Sequence, residues 1–297
     1  MSPLLVELLD CLELQATSAA RPDVERYRGR CEPSRHGRIF GGQVLAQALM
    51  AAGRTTAERP AHSLQALFLE IGDPTQDITF DVERLRDGRS FSARRVLASQ
   101  GDRVIFTLQA SFHAPEPGWE HQLPAPPSPA PESLPSAAQL AERARESIPP
   151  EAAHWAGKPR ALEVRHTVAP SYLGGPASLE PNCLWFRSES LLPDDPLLHQ
   201  CLLAYASDIA LNDTAYRPHS GADEPRLQFM STVDHAMWFH VPARVDEWVL
   251  YYQESPRAAG ARGFARGAMY TRSGALIAST GQDSAMRPQT RPPAAEA

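Results

Sequence analysis

The sequence predicts an α+β protein of two tandem lobes, in each of which an antiparallel sheet wraps around one long helix. Three observations favour this fold class. Each half of the chain opens with a helix-like segment of small and apolar residues, several strand-like segments follow it, and a proline-rich stretch separates the halves. A long helix followed by consecutive antiparallel strands is buried most economically when the sheet curls over it.

The first helix is predicted in RIFGGQVLAQALMAAG, which runs from Arg38 to Gly53 and carries no charge after its first residue. A helix enclosed by a sheet must be apolar nearly all round, and Ala and Gly let the strands approach closely. Gly41 and Gly42 stand at its start, where backbone amides have no partner within the helix. They either present these amides to an anion or a carbonyl oxygen, or only fit a tight turn.

The strands are predicted from short apolar runs that turn residues separate in both halves. The first half has HSLQALFLEI, DITFDVERLR, SFSARRVLAS and RVIFTLQASF. The second half has STVDHAMWFHV, EWVLYYQES, RGFARGAMYT and ALIASTGQDSA, after the helix PLLHQCLLAYASDIALN. Ala93 aligns with Ala265, and His62 aligns with His235 at nearly the same spacing. One order of elements repeated at one spacing indicates an internal duplication.

The joint between the halves is predicted around QLPAPPSPAPESLPS, whose prolines cannot enter regular strand ladders. A short helix is predicted within the joint at 137–148, where the composition becomes helical. The expected division is therefore an N-terminal domain at 1–115, a proline-rich linker at 116–165 and a C-terminal domain at 166–297.

The composition and net charge of the chain argue against several classes of function. The chain has 297 residues and a net charge of −6, which argues against a general nucleic-acid-binding role. It has no run of about 18 apolar residues, so no membrane-spanning helix is expected. The N-terminus lacks a signal-peptide pattern, which predicts a cytoplasmic protein. We expect reduced thiols and no zinc or other metal site, because no C-x-x-C spacing occurs among the cysteines: Cys11, Cys31, Cys183 and Cys201.

Several ordered motifs make the chain similar to a known family. RIFGGQVLAQAL, HSLQALFL followed by GDP, LRDGRSFSARRVLASQ, LPDDPLLHQCLLAYASD, TVDHAMWFH and GALIASTGQ resemble the type II acyl-CoA thioesterases, double hot-dog proteins of the bacterial TesB kind. The resemblance runs from about Leu4 to Arg287 and is loosest in the linker. It implies a double hot-dog fold. It also implies hydrolysis of acyl-CoA, here expected to be medium- to long-chain, without a cofactor or a covalent intermediate.

The resemblance implies three catalytic residues, all in the expected C-terminal domain. The Asp of AYASD is Asp208, the Thr before VDH is Thr232 and the Gln after IAST is Gln282. In the family such a trio holds and activates the attacking water. The helical neighbours of Asp208 are mostly apolar, so its carboxylate should be buried and hydrogen-bonded. Strand alternation groups Thr232 with Trp238 and does not decide whether Thr232 or Gln282 faces a helix.

Further residues are assigned more loosely. The amides of Gly41 and Gly42 are candidate donors to the tetrahedral oxyanion. His62 is a candidate substrate-binding residue, although a His that recurs in the second half as His235 is more simply a packed, hydrogen-bonded residue. Four arginines are either strand-surface charges, which we favour, or ligands for the phosphates of coenzyme A: Arg94, Arg95, Arg262 and Arg266.

Two features depart from the family pattern or limit the number of sites. Glu70 stands ahead of the GDP turn, where relatives usually carry a basic residue, and a reversed charge there could weaken binding of coenzyme A or alter subunit contacts. The first-half helix offers Gln43 and Gln47 in place of an Asp, so one active site per chain is expected.

Two other functions stay open. A double hot-dog enoyl-CoA hydratase needs a His five positions after the Asp, where this chain has Asp213. A non-catalytic acyl-CoA-binding module has no need of Asp208, Thr232 and Gln282 together. The expected partners are an acyl-CoA substrate and further copies of the chain, in a dimer or tetramer, with no nucleic acid and no membrane. The two halves should pair edge to edge within one chain.

Overall fold

The computed structural model describes residues 1–19, 21–33, 37–148, 160–222 and 224–289. The strands are β1 (Gln15–Thr17), β2 (Val24–Gly29), β3 (Ala61–Phe68), β4 (Ile78–Asp87), β5 (Phe91–Gln100), β6 (Arg103–His113), β7 (Glu163–His166), β8 (Asn182–Arg187), β9 (Leu227–Phe239), β10 (Val249–Ala259), β11 (Arg262–Thr271) and β12 (Leu276–Pro288). The helices are α1 (Pro3–Leu12), α2 (Gly41–Gly53), α3 (Ala137–Ala144), α4 (Pro196–Ser207) and α5 (Leu211–Tyr216), with 3₁₀ turns at Pro131–Ser133, Ser171–Leu173 and Arg217–His219.

These strands form one continuous antiparallel sheet. Its order is β1-β2-β4-β5-β6-β3-β9-β12-β11-β10-β8-β7, so the strands of each half of the chain occupy one side of it. The halves meet at β3 and β9, which pair from Ser63 opposite Trp238 to Leu67 opposite Asp234. The predicted edge-to-edge pairing within one chain is confirmed.

The two halves repeat each other's strand plan. β4 pairs with β5, and β10 pairs with β11, in two long antiparallel hairpins. Each hairpin has a bulge toward the end of its first strand, between Arg84 and Arg86 in one and between Glu254 and Arg257 in the other. The predicted double hot-dog architecture is confirmed.

The long helices α2 and α4 are buried in one common core under the curled sheet. Every residue of α2 from Gly42 to Gly53 is buried, as its uncharged composition predicts. A Cβ on Gly42 would lie 2.3 Å from the carbonyl oxygen of Tyr205, and a Cβ on Gly53 would lie 2.4 Å from Leu197 of α4. Glycine at these contacts lets the two helices approach more closely than any side chain would allow.

The two helices begin differently. α4 has Asp195 at its N-cap, whose carboxylate accepts from the amides of Leu197 at 2.9 Å and Leu198 at 3.3 Å. α2 has Phe40 at its N-cap, and Phe40 supplies no side-chain hydrogen bond. The first amides of α2 are therefore open to a partner from another part of the chain.

The proline-rich joint lies along the outer face of the second half-sheet. The indole of Trp185 donates to the carbonyl oxygen of Pro129 at 2.9 Å, and the side-chain amide of Gln122 donates to that of Gly274 at 2.8 Å. Two joint residues also pack against a buried cluster on this face: Ala125 and Leu134 against Trp185, Trp248, Leu250 and Tyr270. The joint thus covers apolar surface as well as connecting the halves.

The helix predicted at 137–148 is shorter in the structure, where α3 ends at Ala144. It begins with a capping box, in which Ser136 accepts from the amide of Gln139 and the Gln139 side chain accepts from the amide of Ser136. The part of the joint at 149–159 lies outside the described residues. The division at 115 and 165 stays a prediction.

The outer face of the first half-sheet is charged. Arg26 on β2 pairs with Asp81 on β4 at 2.6 Å, and Arg95 on β5 pairs with Glu83 on β4 at 2.5 Å. Charged side chains at this face are solvated directly, so the face needs no covering segment.

Three observations bear on the expected function classes. Within the described ranges, no helix is long and apolar enough to cross a membrane. The four cysteines are free thiols. Among the same residues, no group of three His, Cys, Asp or Glu side chains is placed to hold a metal ion.

Candidate active site

Asp208 lies where the two long helices meet. It is the C-cap residue of α4, is 8% exposed, and its Oδ2 accepts from the backbone amide of Gly42 at 3.0 Å. Gly41 lies against the same carboxylate, because a Cβ there would be 2.7 Å from Oδ2. The uncapped start of α2 thus provides a donor and the positive end of the helix dipole for a buried anion. The predicted burial and hydrogen bonding of Asp208 are confirmed.

Thr232 and Gln282 reach Asp208 from neighbouring strands. The hydroxyl of Thr232 on β9 donates to Oδ1 of Asp208 at 3.4 Å. The side-chain amide of Gln282 on β12 donates to Oγ1 of Thr232 at 3.3 Å, and Gln282 is fully buried. The structure therefore brings together the three residues that the family resemblance implies.

A β-bulge on β9 aims Thr232 at the helix. Asp283 on β12 stands opposite Asp234, but the next residue, Ser284, stands opposite Thr232, so Val233 is unpaired. A shift of one residue moves every following side chain to the other face of the sheet. The grouping of Thr232 with Trp238 from simple alternation is therefore wrong: Trp238 is 41% exposed on the outer face.

Burial raises the pKa of Asp208 from 3.8 to about 7. Hydrogen bonds from Gly42, Thr232 and Gln282 act in the opposite direction, since they stabilise the carboxylate. Desolvation is the larger effect. The result is a carboxyl group that can exchange a proton near neutral pH, which is the property required of a general base.

Two polar residues of this site were missed by the sequence reasoning. Asn212 lies at the start of α5, one turn of chain after Asp208, and its amide donates to Oγ1 of Thr232 at 3.4 Å. Its Oδ1 accepts from Gln282 at 3.1 Å and from the hydroxyl of Ser284 at 2.6 Å. Ser284 could have been found from its position two residues after Gln282 on one strand. Asn212 has no comparable local signal.

His235 lies behind the site as a packed, hydrogen-bonded residue, as predicted. It is 2% exposed. Its Nδ1 is 2.8 Å from Oε1 of Gln282, and its Nε2 is 2.8 Å from Oγ of Ser207. Burial lowers the pKa of His235 to about 4, so the ring is neutral at physiological pH.

His62 lies away from Asp208, and its role as a substrate-binding residue stays a prediction. Its Nε2 is 2.7 Å from Oγ of Ser111, and its ring contacts Phe91 and His113 in the first half-sheet. β3 pairs with β9 so that Ala66 stands opposite His235. His62 precedes Ala66 by four residues in β3, so it lies about 13 Å along the strand from the position opposite His235.

The two glycines of α2 have different roles in the structure. The amide of Gly42 donates to the Asp208 carboxylate in this arrangement, and its assignment as an oxyanion donor stays a prediction. The amide of Gly41 belongs to the first turn of α2, where no partner exists within the helix.

The arginines singled out from the sequence are held by protein groups. Arg94 is 1% exposed and donates to Oγ1 of Thr55 at 2.6 Å and to Asp87 at 2.7 Å, so it is a buried structural residue and not a surface charge. The other three form ion pairs on the sheet: Arg95 with Glu83, Arg262 with Asp283, and Arg266 with Glu254.

Two acidic residues from the sequence analysis also have local partners. Glu70 is exposed and lies 3.4 Å from Arg103. Asp213 accepts from the amide of Ser171 at 3.1 Å and from its hydroxyl, so it holds the 3₁₀ turn at Ser171–Leu173. The position that carries a catalytic His in hot-dog hydratases therefore has a structural role in this chain.

Comparisons with known proteins find relatives over both halves. Residues 157–285 match the family described as acyl-CoA thioesterase, and residues 32–113 match the acyl-CoA thioesterase N-terminal domain. Acyl-CoA thioesterase 2 of Haemophilus influenzae is 36% identical over 288 residues, which cover 97% of this chain and 99% of that protein. Human acyl-coenzyme A thioesterase 8 is also 36% identical, over 89% of this chain and 85% of that protein.

Solved structures give the same result for the fold. The acyl-CoA thioesterase II TesB2 from Mycobacterium marinum has a TM-score of 0.74 at 37% identity, covering 96% of this chain and 99% of that one. The tesB protein of Mycobacterium avium subspecies paratuberculosis has a TM-score of 0.76 at 30% identity, covering 96% and 100%.

Proposed function

The chain belongs to the acyl-CoA thioesterase family, and on that premise we propose that it hydrolyses medium- to long-chain fatty acyl-CoA to free fatty acid and coenzyme A. Asp208, Thr232 and Gln282 are the proposed catalytic residues. The observation that carries the proposal is the convergence of Thr232 and Gln282 on the buried carboxyl group of Asp208, whose pKa is about 7.

The proposed reaction has two proton transfers and no covalent intermediate. The Asp208 carboxylate takes a proton from a water that Thr232 and Gln282 orient, and the resulting hydroxide attacks the thioester carbonyl carbon. When the tetrahedral intermediate collapses, the C–S bond breaks and the departing thiolate takes the proton back from Asp208. The amide of Gly41 is the proposed donor to the oxyanion, since the amide of Gly42 holds Asp208 in place.

One active site per chain is proposed, because the corresponding groups of the first half are used for structure. The side-chain amide of Gln47 donates to the carbonyl oxygens of Cys11 at 2.9 Å and Arg30 at 2.8 Å. Gln43 in turn donates to Gln47 at 3.0 Å. These contacts tie α2 to the N-terminal segment and leave no ionisable group at the equivalent position.

Release of free thiol from acyl-CoAs of increasing chain length tests the proposal. We expect hydrolysis by EDTA-treated protein, with the highest kcat/KM for medium to long chains. Tight binding of acyl-CoA without thiol release would instead support a binding module, and hydration of an enoyl-CoA would support a hydratase. The cytoplasmic location and the dimeric or tetrameric state stay predictions, which fractionation and sedimentation measure.

The pH dependence of hydrolysis follows from the pKa of Asp208. The base acts only when it is ionised, so kcat/KM should rise about 10-fold per pH unit below pH 7 and level off above it, given a pKa of about 7. The measurement is kcat/KM from pH 5 to 9, with the folded fraction checked at each pH. A profile that is flat across this range would show that Asp208 does not titrate in the rate-determining step.

Thr232→Ala and Gln282→Ala should lower kcat more than they change KM, because both side chains orient the water and not the substrate. Combining either change with Asp208→Asn should cost little more than Asp208→Asn alone, since the three residues act on one water. Steady-state kinetics of the single and double variants measure this. Fully multiplicative effects would mean that the residues act on separate steps.

A further inference from the structure

A chain of buried polar groups continues from the proposed catalytic residues into the core. Ser207 and Gln282 are fully buried, and His235 between them is 2% exposed. The contacts are 2.8 Å from Ser207 Oγ to His235 Nε2 and 2.8 Å from His235 Nδ1 to Gln282 Oε1. Such a chain is costly to bury unless every member finds a partner of the right kind.

The Asp208 carboxylate at one end of this chain of polar groups determines the direction of the hydrogen bonds. A carboxylate only accepts, so Thr232 must donate to Asp208. Thr232 then accepts from Gln282, whose amide group also faces Oδ1 of Asn212 at 3.1 Å. If the amide were flipped, Oε1 of Gln282 would face Oγ1 of Thr232 and Oδ1 of Asn212, with no hydrogen between the oxygens. The NH₂ of Gln282 must therefore point toward Asp208, and its Oε1 toward His235.

His235 must then carry its proton on Nδ1. Oε1 of Gln282 can only accept, so the ring nitrogen opposite it has to donate. In a neutral imidazole the other nitrogen accepts, so Ser207 must turn its single hydroxyl hydrogen toward Nε2. The carbonyl oxygen of Ala204, 2.7 Å from the same Oγ, is the competing acceptor for that hydrogen. All donors run one way: from Ser207 through His235, Gln282 and Thr232 to Asp208.

We propose that His235 is a positioning residue for hydrolysis: held as its Nδ1–H tautomer by Ser207, it fixes the Gln282 amide with its NH₂ toward the attacking water. This role rests on the proposed function of Asp208, Thr232 and Gln282. A flipped Gln282 amide would present an oxygen to the water and to Thr232, and the donor chain to Asp208 would be broken.

Ser207, His235 and Gln282 also resemble the arrangement of a nucleophilic serine, its base and an orienting group. Ser207 is fully buried within α4, so a thioester carbonyl has no access to its Oγ. The third group is a neutral amide, which does not stabilise an imidazolium as a carboxylate does. The serine therefore serves as a donor to His235 and not as a nucleophile.

A matched pair of variants tests the positioning role. His235→Asn keeps an amide NH₂ near the place of Nδ1, whereas His235→Gln carries its amide to the place of Nε2 and leaves Oε1 of Gln282 without its donor. We expect kcat to fall by roughly 10²-fold in His235→Gln with little change in KM, and by less than about 10-fold in His235→Asn. His240→Gln is the control, because His240 makes a similar Nε2 contact with Ser279 at 2.9 Å, and His240 is exposed just after the end of β9. Its kcat should not change.

Nitrogen NMR of the wild-type protein with ¹⁵N-labelled histidine decides the tautomer even if a variant fails to fold. The expected spectrum shows His235 neutral and protonated on Nδ1 at pH 7. An Nε2–H tautomer, equal losses of kcat in the Asn and Gln variants, or an acyl group on Ser207 detected by mass spectrometry would each overturn the proposal. Loss of the proposed function has a different signature, namely no thiol release by the wild type or full activity of Asp208→Asn.

Discussion

Asp208→Asn lowers kcat by roughly 10²- to 10⁴-fold while the protein stays folded, which is the contribution that a positioned general base typically makes. Asn keeps the size of the side chain and an oxygen that can accept from the amide of Gly42. It removes the only group of the proposed trio that can take a proton from water. Thiol release under substrate saturation measures the loss. If kcat of Asp208→Asn stays near that of the wild type, the base has been assigned to the wrong residue.

The same variant should be more stable than the wild type at alkaline pH. The folded-state pKa of Asp208 is raised from 3.8 to about 7, so folding favours the protonated form. This favourable contribution is complete below about pH 4 and is lost as the pH rises through 7. Above pH 7 the buried charge therefore costs a few kcal/mol, because a tenfold change in the ionisation equilibrium corresponds to about 1.4 kcal/mol. Thermal melts should show a gap between variant and wild type at pH 8 that shrinks toward pH 4.

Gly42→Ala should lower both stability and kcat. The new Cβ would lie 2.3 Å from the carbonyl oxygen of Tyr205, and two backbones in a packed core cannot separate without moving α2 against α4. Overpacking of this kind typically costs about 1–3 kcal/mol. The shift also moves the Gly42 amide away from Asp208, and a misplacement near 1 Å can reduce the rate by roughly 10²-fold. Urea unfolding and steady-state kinetics measure the two effects.

Gly53→Ala is the matched control on the same helix. Its Cβ would meet the side chain of Leu197 at 2.4 Å, which can change its rotamer, and it lies at the end of α2 remote from Asp208. We expect a loss of stability with kcat unchanged. A similar loss of kcat in both variants would mean that any disturbance of the helix pair inactivates the protein, and that the Gly42 amide has no special role.

The helices could be predicted from the sequence because burial on all sides restricts composition. α2 has no charged residue, and its glycines stand where the structure brings α4 within contact distance. The burial of Asp208 could also be predicted, since Cys201, Ala204 and Tyr205 lie on the same side of its helix. These inferences are local: each depends on residues within two turns of one helix.

The placement of Thr232 could not be predicted, because it depends on a pairing between distant strands. The bulge at Val233 exists only relative to β12, and nothing in TVDH marks it. Arg94 is a similar case. Its sequence context is an ordinary alternating strand, yet its guanidinium is buried because Thr55, at the end of α2, provides both a hydroxyl and a carbonyl oxygen to accept from it.

The position of the proline-rich joint between the halves matters for folding during synthesis. Its residues at 116–136 leave the ribosome before any strand of the second half, because synthesis proceeds from the N-terminus. The segment that covers the aromatic face of β8, β10 and β11 is therefore already synthesised when those strands first assemble. A nascent sheet with Trp185 and Trp248 exposed to solvent would carry an apolar patch that favours aggregation with neighbouring polypeptides.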